Sequence, residues 1–390
     1  MDRRILGLLF VVLFLVMVGF SILFPVEPYY IQAFGATSAT MGWLLASFSL
    51  GQLVFSPLWG RLSDRAGRKP VMMIGLAGYG VSMALFALAR SVPQLFLARS
   101  LSGILSAATL PSAMAVIADT TSEADRAKGM GLLGAALGLG AIFGPFVGGV
   151  LGDVAIRLPF FVTSGVSLLA LLFVWRVLPE TLKPEKREVA PERVSRRKAF
   201  QVDTTWLYAV AFLATVSLAG LETAFPFYAF DRLGATTRLV GYVFAVMGLA
   251  GVIVQGGLVG PLKERIGEER MIPLGLLLSA AALIAMALSR DIVTGASALA
   301  VYAAGHGLIR PANASLITQR TQVGQGLAIG VYDSMDALGR VLGPVVGGSL
   351  YLSGQSLPFA TAAAVNLVAC VLFVAVALPR LRVRVESTAP

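Results

Sequence analysis

The sequence predicts an all-α integral membrane protein with twelve transmembrane helices in two pseudo-symmetric six-helix bundles. Three observations carry this. Of the 390 residues, 57% are hydrophobic and 13% charged, where a soluble domain carries about 25% charge. The apolar residues gather into runs of about 20, the length at which a helix crosses a bilayer with its backbone satisfied internally. The chain also repeats itself. Gly131, Gly140, Gly144-Pro145 and Gly148-Gly149 recur 199 positions later as Gly330, Gly339, Gly343-Pro344 and Gly347-Gly348. Gly35-Ala36-Thr37 matches Gly234-Ala235-Thr236, Gly42 matches Gly241, and Pro111 matches Pro311. Gly60-x-Leu62-x-Asp64-Arg65-x-Gly67 matches Gly260-x-Leu262-x-Glu264-Arg265-x-Gly267. Internal repeats of this kind set the architecture of the whole chain.

Each span follows from its apolar run and its boundaries. The first, 5–30, follows Arg3-Arg4 like a secretory leader. It is too long for one, lacks a small-residue cleavage site and has a counterpart opening the second half, so it is read as a retained helix. Spans 41–60 and 70–89 flank the Gly60–Pro70 loop, and 94–118, 128–151 and 159–178 complete the first bundle, 1–178. Residues 179–205 are charged and punctuated by Pro179, Pro184 and Pro191, and read as a linker. The second bundle, 206–390, holds spans 206–229, 239–260, 271–289, 292–318, 326–351 and 358–378.

Charge sets the orientation. One side of the spans carries 22 basic residues: Arg3, Arg4, Arg61, Arg65, Arg68, Lys69, Arg126, Lys128, seven in the linker, Lys263, Arg265, Arg270, Arg320, Arg380, Arg382 and Arg384. The other side carries five: Arg90, Arg157, Arg232, Arg238 and Arg290. The excess places both termini and the linker in the cytoplasm, and accounts for the net charge of +10 without nucleic acid. One Cys and one His exclude a disulfide framework and leave no basis for a zinc site. No nucleophile–histidine constellation or phosphate-loop lysine is present, so neither an enzyme nor a nucleotide cofactor is expected.

The loop Gly60-Arg61-Leu62-Ser63-Asp64-Arg65-Ala66-Gly67-Arg68-Lys69-Pro70, Arg99-x-x-x-Gly103 in the fourth span, and the glycine–proline motif of the fifth together resemble the major facilitator superfamily. Within it they resemble the twelve-helix drug/proton antiporters. The segment Gly19-Phe20-Ser21-Ile22-Leu23-Phe24-Pro25, Glu222, and Ile309-Arg310-Pro311 are similar to the quinolone-type multidrug efflux pumps of Gram-positive bacteria. The resemblance implies an inner-membrane, proton-coupled exporter of lipophilic, cationic drugs that works by alternating access. Export of one defined solute (tetracycline, a sugar or a lipid) is the alternative, with a non-transporting membrane receptor behind it. The partners implied are a small-molecule substrate, protons and membrane lipid, the state a monomer, and the energy source the proton gradient. Two departures stand out. Glu27 lies where those pumps carry an apolar residue, and His306-Gly307 lies where they carry an acid.

The resemblance assigns gating to Gly60, Asp64, Arg65, Gly67, Arg68, Gly140, Gly144, Pro145, Gly343 and Pro344, and proton transfer to Arg99. Physically, small residues four apart make flat helix faces that pack closely in lipid. Proline removes a backbone donor and bends a helix. The competing account is ordinary helix packing and a basic topogenic loop. Glu222 and Glu27 are the candidate coupling acids, since an ionised acid within the bilayer needs a partner or a wet cavity. Each also admits a plainer reading: an interfacial residue for Glu27, a structural ion pair for Glu222. Arg310 is a candidate neutralising charge. Asp336 and Arg340 are four apart and read as an internal salt bridge. Glu222 with Phe225, Phe227 and Tyr228 forms an acid-plus-aromatic wall suited to cations. Gln52, Gln255, His306 and Asn313 are further candidate cavity contacts.

Overall fold

The computed structural model describes residues 3–182, 202–321 and 324–379. Among these, regular structure is helical with no strand. Eleven segments are long and apolar enough to cross a membrane. The expected twelfth, 326–351, lies in a 29-residue helix, Gln325–Ser353, that carries Asp333, Asp336 and Arg340 and is not among the eleven. Most of the expected linker lies outside the described residues, as do Arg380, Arg382 and Arg384.

In chain order the helices are α1 (Arg3–Ser21), α2 (Glu27–Gln32), α3 (Ser38–Ala66), α4 (Arg68–Leu88), α5 (Val92–Ser106), α6 (Thr109–Thr120), α7 (Glu123–Val154) and α8 (Leu158–Val177). After them come α9 (Val202–Leu233), α10 (Thr237–Ile253), α11 (Val259–Ile266), α12 (Glu268–Ala287), α13 (Ile292–Arg320), α14 (Gln325–Ser353) and α15 (Leu357–Leu372). One π-helical turn, Val254–Leu258, joins α10 to α11, and another, Phe373–Ala377, extends α15. The chain divides into two compact units: Met1–Pro191 with Ala235–Ala245, and Glu192–Gly234 with Val246–Pro390.

Four helix starts among the described residues are capped by the side chain just before them, one of them α10, where Thr236 accepts from the Leu239 N–H at 3.4 Å. Thr37 accepts from the Thr40 N–H at 3.4 Å, Ser122 from Asp125 at 3.2 Å, and Asp291 from Val293 and Thr294 at 3.0 and 2.9 Å. These bonds satisfy donors a helix start would leave unpaired. The bond from the Thr294 N–H chiefly holds the Asp291 carboxyl below its ordinary range. The turns use glycine where the backbone is left-handed. Gly35 (φ 72°) pairs with Gly234 (φ 63°), and Gly67 (φ 113°) with Gly267 (φ 77°). All four positions are repeat partners, so the duplication extends to backbone conformation.

Two expected spans are interrupted. The first breaks after Ser21 into a turn around Pro25, and α2 begins at Glu27. The fourth breaks at Ala107-Ala108, between α5 and α6. Pro111 withholds one donor there, but its counterpart Pro311 lies inside the unbroken α13, so proline alone does not set the break. Gly60 also differs from expectation: it lies inside α3 with nothing within 4 Å of where a Cβ would stand, and the turn falls to Gly67.

Each unit has its own apolar core. In the first, Leu9, Val12 and Leu13 of α1 meet Met72 and Leu76 of α4, Val116 and Ile117 of α6, and Val174 of α8. In the second, Leu207 and Tyr208 of α9 meet Met271 and Leu276 of α12, Leu308 and Leu316 of α13, and Phe373.

Candidate functional site

The first unit buries an ion pair. The turn at Pro25 ends α1 and delivers Glu27 to the first position of α2, and α5 delivers Arg99 to meet it. Arg99 Nη2 lies 3.0 Å from Glu27 Oε2, and both side chains are fully buried. The pair is lean in hydrogen bonds: both Glu27 oxygens and all three Arg99 nitrogens lack a well-aligned partner. Phe48 of α3 covers the guanidinium at 4.7 Å, a cation–π contact. Tyr79 of α4 feels both charges, and its hydroxyl donates to Gly19 O at 3.4 Å. A buried pair of this kind strands a charge when either partner is removed, at a cost of about 3–5 kcal/mol.

The same unit holds the loop motif. Arg68 begins α4 immediately after Gly67. Its Nη1 binds Asp64, its Nε donates to Asp119 at 3.2 Å, and Ser63 Oγ lies 3.4 Å away. The start of α4 is capped from a distance. Glu180, beyond α8, accepts from Arg68 N at 3.0 Å and from Lys69 N at 3.2 Å. Burial pushes the Glu180 carboxyl up, but bonds from the N–H groups of Leu182, Arg68, Lys69 and Thr181 outweigh it and hold the group below its ordinary range. Lys69 Nζ donates to Trp175 O at 2.8 Å, and Arg65 is exposed. Sequence reasoning named Asp64, Arg65 and Arg68 but missed Asp119 and Glu180. The available signal was an acid at the end of each of two apolar spans.

The glycine–proline motif of α7 presents two faces. Gly140, Gly144 and Gly148 lie against Met17, Ser21 and Ile22, the end of α1 and its turn. Gly149 turns instead to the start of α10, where a Cβ would stand 2.7 Å from Thr237 O and 2.9 Å from Gly241 Cα. Asp153 and Arg238 pair beside this contact at 2.7 Å. In the second unit Gly339, Gly343 and Gly347 of α14 pack on Thr215, Val216 and Gly220 of α9 in the same manner.

That packing assembles the second unit's polar cluster. Asp336 on α14 accepts from Thr215 Oγ1 at 2.6 Å and from Arg340 Nε at 3.1 Å, the expected four-residue pair. The charges of Arg340 and Asp336 act on Glu222 of α9. Arg310 of α13 acts on Asp336, Asp333 and Tyr332. His306 stacks on Tyr302 with ring centroids 5.8 Å apart, and the Tyr302 hydroxyl approaches Ser217 Oγ at 3.4 Å. The remaining candidates scatter. Phe225, Phe227 and Tyr228 are buried; Tyr228 donates to Ser289 O at 3.0 Å and meets Phe359 edge to face. Asn313 is fully buried and donates to Leu207 O at 2.8 Å, with its own Oδ1 unpaired. Gln52 donates to Ser106 in the first unit at 3.4 Å. Gln255 lies in the π-turn, where its Cγ would be 3.6 Å from a Cβ on Gly307. No group of three or more His, Cys, Asp or Glu among the described residues is placed to hold a metal.

A duplicated helical chain whose long apolar helices hold ion pairs has the architecture of a multi-pass membrane protein. The Major Facilitator Superfamily model matches residues 9–324 and 257–390, and the chain belongs to that family. Multidrug resistance protein 2 of Bacillus subtilis (strain 168) is 29% identical over 91% of each chain. The quinolone resistance protein NorA of Staphylococcus aureus (strain COL) is 26% identical over 95% of this chain and 96% of its own. Among solved structures, the human organic anion transporter MFSD10 (TETRAN) is 26% identical, with a TM-score of 0.70 over 95% of this chain and 99% of its own.

Proposed function

We propose that this protein is a proton-coupled secondary exporter of lipophilic, cationic drugs that works by alternating access. Relatives named for multidrug and quinolone resistance that align along nearly the whole chain support the drug class. The observation that carries the coupling is the Glu27–Arg99 pair, sealed from solvent on both sides and short of hydrogen bonds. A proton arriving on Glu27 cancels one charge and releases the other, so the energies of the closed and open arrangements change with protonation. Glu222 is the second coupling acid and the contact for the cationic substrate. Arg99 holds Glu27 until protonation, and Arg310 sets the field in the second unit. The glycine faces at Gly144 and Gly343 let the helices slide, and the Asp64–Arg68 knot latches one end. The protein sits in the bacterial inner membrane as a monomer, with both termini and the linker cytoplasmic. No chemical conversion of the substrate is involved.

The test is dye efflux from preloaded right-side-out vesicles under an imposed pH gradient. Wild-type efflux is expected to follow the gradient. Glu222→Gln and Glu27→Gln are each expected to cut gradient-driven efflux at least about tenfold, a transition-state or binding loss of about 1.4 kcal/mol or more. Efflux indifferent to the gradient rejects proton coupling. Full coupling in both variants rejects these residues as its seat.

A second reading, export of one defined anionic solute, is favoured by the 26% identity to an organic anion transporter and by Arg310 and Arg340 in the second unit. A substrate panel separates the two. Several unrelated lipophilic cations support the first reading, and a single anion supports the second.

A further inference from the structure

The two intramembrane ion pairs differ in one respect that bears on substrate. Glu27 and Arg99 are both closed to solvent, whereas the Arg340 side chain is 39% exposed beside a 16% exposed Asp336. An arginine within a spanning helix faces the protein interior or a water-filled cavity, because lipid would not accept it. Asp336 is committed on both oxygens, Oδ1 to Thr215 and Oδ2 to Arg340 Nε. It thus fixes the guanidinium by one edge. Among the described residues no hydrogen bond engages the Nη1–Nη2 edge, which is the geometry that receives a carboxylate in two parallel bonds. Glu222 belongs to the same cluster, and its charge acts on Arg340. The residues next to Arg340 on α14 anchor this side of the helix: Gly339 packs on Phe212 and Thr215, and Gly343 on Val216 and Ala219. Glu222 lies further along that same helix, α9.

We propose that Arg340, aimed by Asp336, and Glu222 form a zwitterion-binding subsite in the second unit, the guanidinium taking a carboxylate or enolate of the solute and Glu222 its cationic part. This narrows the substrate class and rests on the exporter reading. A structural salt bridge alone would be served better by the closed geometry of Glu27 and Arg99. An open, half-used guanidinium next to an acid is complementary to a solute that carries both charges.

Two probes separate the roles: tetramethylrhodamine, which carries a carboxylate and a delocalised cation, and its methyl ester, which keeps only the cation. Both are loaded into proteoliposomes of purified protein and their transport is followed by fluorescence. Wild type is expected to move both. Arg340→Gln is expected to slow the zwitterion about tenfold or more while the ester stays within about twofold or rises. Arg340→Lys, which keeps the charge but not the fork, is expected to fall between. Asp336→Asn, which loosens the aim of Arg340, is expected to raise the zwitterion's KM more than the ester's. Equal loss for both probes in Arg340→Gln marks a purely structural pair and overturns the subsite, as does no change for either. If Arg340→Gln does not fold, Arg340→Lys decides, and an unchanged ratio of the two probes overturns the proposal. Wild type moving the ester alone defeats the subsite and leaves the exporter reading standing; wild type moving neither defeats the exporter reading itself.

Discussion

Arg68 and Glu268 occupy the same slot in the two repeats, one residue after a left-handed glycine at the start of a helix, and carry opposite charges. In the first unit Arg68, its side chain 11% exposed, is satisfied by Asp64, Asp119 and Ser63. In the second, Glu268, its side chain 8% exposed, is satisfied by Lys263 at 2.6 Å, Ser315 Oγ at 2.6 Å and Gln319 Nε2 at 2.9 Å. The exchange is concerted. Ser63 becomes Lys263, Arg68 becomes Glu268, and Asp119 becomes Gln319. The backbone dictates that a charge be buried at this point, and the neighbours dictate its sign. The caps differ too. The α4 start borrows its acid from Glu180, far along the chain. The α12 start carries Glu268 and Glu269 in its own first turn, where the helix dipole favours them, and Glu269 binds Arg320 at 3.0 Å. The first copy is therefore tied to the segment that follows α8, and the second is self-contained.

The comparison can be broken most sharply by inverting the first copy. Arg68→Glu places an acid against Asp64 and Asp119 and is expected to lower stability by about 3 kcal/mol or more, measured as the melting temperature in detergent. The triple change Ser63→Lys, Arg68→Glu, Asp119→Gln rebuilds the second unit's arrangement in the first and is expected to recover at least half of that loss. A single Arg68→Glu protein as stable as wild type would end the claim that the slots are equivalent. A smaller effect is expected from Lys263→Ala, which leaves Glu268 buried without its cation, at about 1.5–3 kcal/mol. The loss should be greater than for Lys69→Ala, whose ammonium, among the described residues, donates to the exposed backbone carbonyl of Trp175.

The smallest effect concerns the distant cap. Glu180→Ala removes an acceptor shared by two helix-start donors and is expected to cost about 1 kcal/mol at neutral pH. The carboxyl's folded-state pKa is depressed, so its contribution is full above the ordinary carboxylate value near about 4.3 and disappears as pH falls through the lowered one. Wild type and variant should therefore converge in acid. A gap that widens as pH falls below about 4 would contradict this sign.

What could be read from the sequence was what lies close along it or repeats. The close packing of the glycine motifs and the Asp336–Arg340 pair follow from spacing, because i and i+4 share a helix face, and the repeat of Gly35 and Gly67 as Gly234 and Gly267 carries over to their backbone conformation. The Glu27–Arg99 pair did not. Both residues were named, but their meeting depends on the rotation of α5 and on the break at Pro25, which linear spacing does not encode. Asp119 and Glu180 were missed for the same reason: their partner is Arg68, on another helix. Gly60 lies inside α3 and not in the expected Gly60–Pro70 loop, since a glycine inside an unbroken helix looks the same in sequence as one at its end.

The π-turn at Val254–Leu258 explains a small arithmetic irregularity of the duplication. Gly42 and Gly241 are 199 apart, but Gly60 and Gly260 are 200 apart. The corresponding helices measure 29 residues in α3 and 30 from Thr237 to Ile266. A single-residue insertion into an α-helix is accommodated as a π-bulge, and the bulge lies inside the interval where the extra residue entered. Both flanks keep their counterpart positions, and the surplus is stored as a local widening at Gln255, opposite Gly307. The two halves have thus diverged by indel as well as by substitution, and deleting one residue within 254–258 should restore an even phase along this helix while withdrawing Gln255 from Gly307.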